Sequence, residues 1–378
     1  MKRRLNRRKG NVLVLTAFMM VVMIGFIAMA VDVGYLYTVR NELQRSADAS
    51  AIAAAWDLIE DDGGSEFGEI EENARGTAVQ FAALNKVGNA APGLASDDVF
   101  VGYITDPRDP AAPLVAAPSG TLPNAVQVRV QRTELQNGEV PLFFARIFGF
   151  DQQAAQAQAT AALIQGFAGF QSPADGTNLQ MLPFALDVET WTALAAGGGS
   201  DNWSYNKENQ SVTVGCDGVN EINLYPQGTG SPGNRGTVDI GGANNSTNDL
   251  SRQIRDGISA DDMTALEDNG RSLQFDDDGN LWLNGDTGIS AGVKDDLLAI
   301  KGRPRIIPIF QSVTGPGNNA EYTIIKFVGV RIMEVKLTGS MSSKKVIIQP
   351  CNIVAKGGIP APGATTTEHV YSPVWLVR

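Results

Sequence analysis

The chain has 378 residues, 43% of them hydrophobic, enough for two or three domains with packed cores. Its net charge is −11; without six cations in the first nine residues the balance is 24 Lys and Arg against 41 Asp and Glu, a net of −17. That acidity excludes nucleic acid and anionic lipid headgroups as partners of the main body, and one histidine with two distant cysteines offers no metal-ligand spacing.

The cations Lys2, Arg3, Arg4, Arg7, Arg8 and Lys9 precede an uncharged run from Gly10 to Val31. A bilayer core needs roughly 20 apolar residues in helical form, because hydrocarbon leaves no partner for a bare backbone amide. Residues 1–10 are therefore read as a basic cytoplasmic segment and 11–31 as a transmembrane helix. By the positive-inside rule everything after Asp32 lies outside the inner membrane. With no second apolar run of that length, the expectation is a single-pass protein, N-terminus cytoplasmic and bulk periplasmic. Two other readings stay open. Ala28-Met29-Ala30 fits a secretory cleavage site, although the apolar run exceeds the roughly 7–15 residues usual for a signal. Cleavage after Gly10, as in type IV prepilins, would put Leu15 where those proteins carry a glutamate.

Residues 32–60 lack proline and read as a stalk helix continuing the span, a rod of about 70 Å. Leu36, Val39, Leu43, Ala47, Ser50 and Ala54 alternate steps of three and four, a narrow stripe of coiled-coil type. The alanines allow close approach of another helix. The stripe packs either on the chain's own globular part or on another subunit. For the second case the interface residues are Leu36, Leu43, Ala47, Ala51 and Ala54. Asp32, where the helix leaves lipid, is expected to be a solvated carboxylate.

These residues carry a resemblance. Arg8-Lys9-Gly10-Asn11-Val12, the apolar span, Ala30-Val31-Asp32-Val33-Gly34-Tyr35-Leu36-Tyr37, Arg40, Leu43-Gln44, Ala47-Asp48-Ala49 and Ala51 to Ala55 together resemble the N-terminal region of TadE/TadG-like proteins of Flp (tight-adherence, type IVb) pilus assembly. Its specificity lies in Asp32, Gln44 and Asp48, polar residues at fixed places in an alanine-rich helix. It implies an envelope protein with one anchor and no known chemistry. Its implied partners are other pilus or secretion-machine membrane proteins, possibly further copies of itself.

Residues 61–165 read as a membrane-proximal α+β module. Asp61-Asp62-Gly63-Gly64-Ser65 breaks the rod. A helix over 70–85 aligns Ile70, Ala74, Ala78, Phe81 and Leu84, and Val99 to Thr105 is a strand. Five prolines between 107 and 123 mark an extended loop. Val126, Val128 and Val130 alternate with Gln127, Arg129 and Gln131, an antiparallel strand with one buried face. The patch Val140 to Phe150, with four phenylalanines, reads as a short core helix under the sheet, or else as a partner-facing surface. Gln156 to Ile164 is a strand. The same order of strand, Phe-rich helix and Ala-rich strand occurs in TadE/TadG-like chains, which extends the resemblance to about residue 165.

Gly, Ser and Pro make 166–180 a linker candidate, and 181–378 reads as a β-rich extracytoplasmic domain with short helices. Its strands are expected at 184–188, 305–311, 321–337, 344–348 and 370–377. A helix near Asn248-Asp249 should be capped by one of those two residues, and another starts at Ser259. Asp276-Asp277-Asp278-Gly279-Asn280 is a turn that lacks the EF-hand glutamate. Pro232 to Asp239 is similar to a segment of longer TadG-like proteins. Some of those carry a von Willebrand A metal site of the form D-x-S-x-S; Asp48-Ala49-Ser50-Ala51-Ile52 lacks its second serine. Cys216 and Cys351 are either one disulfide across a long loop or two separate thiols.

The fold expected is α+β: a long N-terminal transmembrane and stalk helix, a small α+β module, then a β-rich C-terminal module with short helices. No nucleophile–base–orienter set, phosphate loop or zinc motif is present, His369 sitting in a Thr-rich segment read as exposed. The functional expectation is a non-enzymatic, membrane-anchored assembly component needing no cofactor and acting through helix contacts. The alternative is an exported or anchored β-rich ligand-binding protein whose N-terminus is only a signal.

Overall fold

A computed structural model describes residues 11–59, 67–226, 235–241, 246–286, 288–315, 319–361 and 363–377. The basic start, the rod-breaking residues 61–65 and Pro232 to Asn234 lie outside the described residues.

The first helix, α1, runs unbroken over Asn11–Asp57, 47 residues and about 70 Å. Its two halves live in different surroundings. From Val12 to Val31 nearly every side chain is exposed, and this half is long and apolar enough to cross a membrane. From Asp32 onward one face is buried. The second helix, α2, spans Phe67–Leu84 and packs along the buried face through Ile70, Ala74, Ala78 and Ala82, one contact per turn. Spacing by four in small residues is what lets the two backbones approach. Phe81 and Leu84, expected on that face, point outward instead.

The other side of α1 lies on a five-stranded antiparallel sheet ordered Leu114–Val115, Val99–Ile104, Ala125–Arg132, Ala155–Ala162, Trp375–Leu376. Val126, Val128 and Val130 pair with Ala161, Ala159 and Ala157 and are fully buried, while Gln127, Arg129 and Gln131 take the half-buried face. The alternation predicted from sequence is therefore the one observed. This core is alanine and valine, with few larger side chains.

The C-terminal half is built around an eight-stranded sheet whose longest strand is Ala320–Lys336. Five of its strands close a ring: Ala320–Lys336, Leu281–Asp286, Gly236–Val238, Phe184–Asp187 and Pro304–Thr314, which returns to the first. Ile, Leu, Phe and Tyr fill and flank it. Short helices cover it: Val188–Ala195, Thr247–Asp256, Ala260–Asp268 and Lys294–Ala299. Ser246, not Asn248 or Asp249, caps the second of these, accepting from the Asp249 N–H at 3.2 Å. Ser259 caps the third as expected. The protein is α+β, a long apolar N-terminal helix followed by short helices and a β-rich C-terminal region.

The expected linker at 166–180 is not one. Phe167–Phe170 is a strand paired with Gly358–Pro360, and both phenylalanines are buried in the C-terminal core. The chain end then comes back, with Trp375–Leu376 joining the first sheet beside Ala162 and Ala161. Gly and Pro mark turns locally, but pairing across nearly two hundred residues leaves no local sign. His369 is half-buried beside Trp191, its Nδ1 2.8 Å from Asn352 Oδ1, rather than exposed.

Candidate functional site

The residues singled out along α1 fall in three places. Leu43, Ala47, Ala51 and Ala54 have no exposed surface and belong to the core with Ala74, Ala78 and Val128. The partner-helix interface expected of these four is thus corrected: α2 and the sheet of the same chain already occupy that stripe. Leu36, about two turns before Leu43, is half-buried and lines the groove described below. Cys216 is exposed and Cys351 buried, and no disulfide joins them; Arg331 Nη2 lies 3.0 Å from the Cys351 sulfur.

Asp32 is not the solvated carboxylate expected. It is 4% exposed, and its two oxygens accept the backbone N–H groups of Phe143 at 2.7 Å, Phe144 at 2.9 Å and Ala145 at 2.6 Å. Those three donors open a 3-10 turn, Ala145–Phe148, which ends at Gly149 with φ 87°. A carboxylate is suited to this place because the first N–H groups of a helical turn have no partner within it. Tyr35 packs edge-on to Phe143, ring centroids 5.3 Å apart.

The turn presents its side chains outward. Ile147 is 77%, Phe148 74% and Phe150 65% exposed. The short core helix expected here is corrected: Asp32 pins the turn against α1, and its aromatics are exposed rather than packed in the core. A groove of about 490 Å³ runs between the turn and α1, lined by Gly25, Phe26, Met29 and Leu36 on one wall and Phe144 and Phe148 on the other.

The other recurring polar residues of α1 also have structural work. Gln44 Nε2 donates to Asp48 Oδ1 at 2.7 Å and to the Gln158 carbonyl at 3.2 Å, tying the helix to strand Ala155–Ala162. Glu42 accepts the Gly88 N–H at 2.7 Å.

In the C-terminal half, Asp201, Asp217 and Glu221 bring carboxylate oxygens within 4.8 Å of one another, a grouping the sequence reading did not foresee. Each is already engaged by backbone donors: Glu221 by Asn202 and Trp203, Asp201 by Asp217 and Gly218, Asp217 by Tyr205 and Val219. Burial pushes the Glu221 carboxyl above its ordinary value, with the neighbouring acids adding to it. These contacts make the trio a loop latch. Asp187 and Arg235 form a buried ion pair at 2.6 Å, with Asp187 also capping Val188–Ala195 through the Thr190 N–H. Burial opposes ionisation of Asp187, but the Thr190 hydroxyl and the Arg235 guanidinium outweigh it and hold the carboxyl below its usual range.

Comparison with known proteins places the first part of the chain. Residues 10–57 match the family described as TadE/G-like Flp pilus-assembly, and residues 53–161 match Tad_C, described as Tad-like Flp pilus-assembly. No curated protein and no solved structure matches the chain. The matched segments meet inside α1 and end with strand Ala155–Ala162, so they cover the helix, the Asp32-capped turn and all but the last strand of the first sheet. Over residues 10–161 the chain is similar to the TadE/TadG-like families of Flp pilus assembly.

Proposed function

We propose that this is a single-pass inner-membrane component of a Flp pilus or related envelope machine, structural rather than catalytic. Residues 11–31 cross the membrane with the basic start in the cytoplasm, and the acidic body stands outside. The observation that carries this reading is the continuity of α1: an apolar, uncovered half passes without a break into a half locked in the core of a pilus-assembly module. A rod fixed at one end transmits position from the membrane to the body.

Partners are other membrane proteins of the machine, and they meet the faces of α1 that its own chain leaves open. Just above Asp32, Val33 and Tyr37 are exposed one turn apart, on a helix whose opposite face is buried. Crosslinking of native membranes followed by affinity purification tests this. Val33→Lys with Tyr37→Lys is expected to lose partners recovered by the unaltered protein while leaving the Tm unchanged. Full recovery of those partners would contradict contact through this face.

A further inference from the structure

We propose that the aromatic turn 142–150 is a lipid-seated wedge: Ile147, Phe148 and Phe150 lie in the acyl–headgroup boundary of the outer leaflet beside α1 and fix how deep the anchor sits. This rests on the membrane-spanning reading of residues 11–31 and deepens it.

Position is the first argument. The turn runs back along the apolar helix instead of away from it. Its groove reaches Val22, ten residues or about 15 Å before Asp32 along the axis. If the span ends near Val31, the aromatic side chains stand beside its last turns and continue its exposed apolar surface. At Gly25 the space where a side chain would begin is open, so the chain itself does not fill this side of the helix.

Backbone satisfaction is the second. Irregular backbone survives at membrane depth only when its polar groups find partners inside the protein. Here they do. Asp32 takes the N–H groups of Phe143, Phe144 and Ala145. Ile147 donates to Phe144 O at 3.1 Å, Gly149 to Arg146 O at 3.0 Å, Phe150 to Ala145 O at 3.2 Å and Leu142 to Asp151 O at 2.9 Å. The one charged side chain between 142 and 150, Arg146, folds back to donate to the Leu142 carbonyl at 3.0 Å. A water-exposed loop has no need of such closure, and its apolar tip would be a liability. Aromatic residues favour the interface because their rings sit well at the headgroup level. The main body is strongly acidic, so an apolar wedge rather than charge attraction is the means of holding it close to lipid.

The test uses the full chain in phosphatidylcholine vesicles, with an NBD fluorophore on one accessible cysteine at a time, Cys351 being buried. Ile24→Cys reports the span, and Ile147→Cys and Phe148→Cys report the turn, each in a Cys216→Ser background. NBD on the native, exposed Cys216 reports water. Labels at both turn positions are expected to be quenched by nitroxide lipids and shielded from iodide, as at Ile24 and opposite to Cys216. Iodide quenching at the turn equal to that at Cys216, with Ile24 still lipid-quenched, would overturn the wedge and leave the anchor standing. Shielding of the turn from both quenchers would mean that a second copy covers it, which also overturns the proposal. Absence of lipid quenching at Ile24 would remove the anchor reading and the wedge with it.

Discussion

The two cores of this protein are built on opposite plans. The N-terminal one packs α1 on α2 and a sheet through Ala47, Ala51, Ala74, Ala78, Ala159 and a row of valines. The C-terminal ring is filled with large side chains, among them Phe327, Tyr322, Phe170 and Leu283. Small side chains bring backbones close and so fix the direction of a long helix. Large ones bury more area each but allow less exact placement of a rod. The alanine-rich core is the part that matches the pilus-assembly families; the large-residue ring lies beyond the matched residues.

Removing bulk should hurt the ring most. Phe327→Ala is expected to cost about 3–5 kcal/mol, read as a fall in Tm of the detergent-solubilised protein; Phe327 is fully buried against Phe170 and Phe275. Arg235→Met leaves Asp187 buried without its partner and is expected to cost a similar amount, about 3–5 kcal/mol. Adding bulk should hurt the alanine core. Ala47→Leu or Ala51→Leu is expected to cost about 1–3 kcal/mol each. Hydrogen exchange should then rise along 43–57 and α2 before it rises in the ring. If overpacking at Ala47 left exchange in α2 unchanged, the contrast between the cores would fail.

A subtler break uncouples the turn from the helix. Asp32→Ala removes the acceptor of three N–H groups, so limited proteolysis should cut near Phe144 while the ring remains folded. Asp32→Asn, keeping one acceptor oxygen, should fall between. The smallest effect is one of pH. Asp187 has its carboxyl lowered in the fold, so its stabilising contribution is complete above the ordinary value of 3.8 and is lost as pH falls through the lower folded value. The Tm of the ring should therefore drop more steeply below about pH 4 in the unaltered protein than in Asp187→Asn.

What sequence revealed and what it hid follow from range. The Val126–Val128–Val130 alternation was legible because each residue reports its own face. The continuity of α1 was legible because no proline or glycine pair interrupts it. Asp32's role was hidden because its partners lie 111 to 113 positions away. The stripe at Leu43, Ala47, Ala51 and Ala54 was visible as a helix face, but periodicity does not say which helix covers it. The phenylalanines of 143–150 pointed to a core by their usual habit, with a partner-facing surface as the alternative, and nothing in their local pattern separates the two. Residues 166–180 looked like a linker because turn composition says nothing of a strand partner near residue 359.

The central claim is that α1 stays whole and lodged in a membrane. Intact mass of the native protein recovered from membranes washed at alkaline pH measures this directly. The account predicts a carbonate-resistant chain that retains residues 11–31. A carbonate-released or freely soluble chain shortened by its first thirty residues would contradict it.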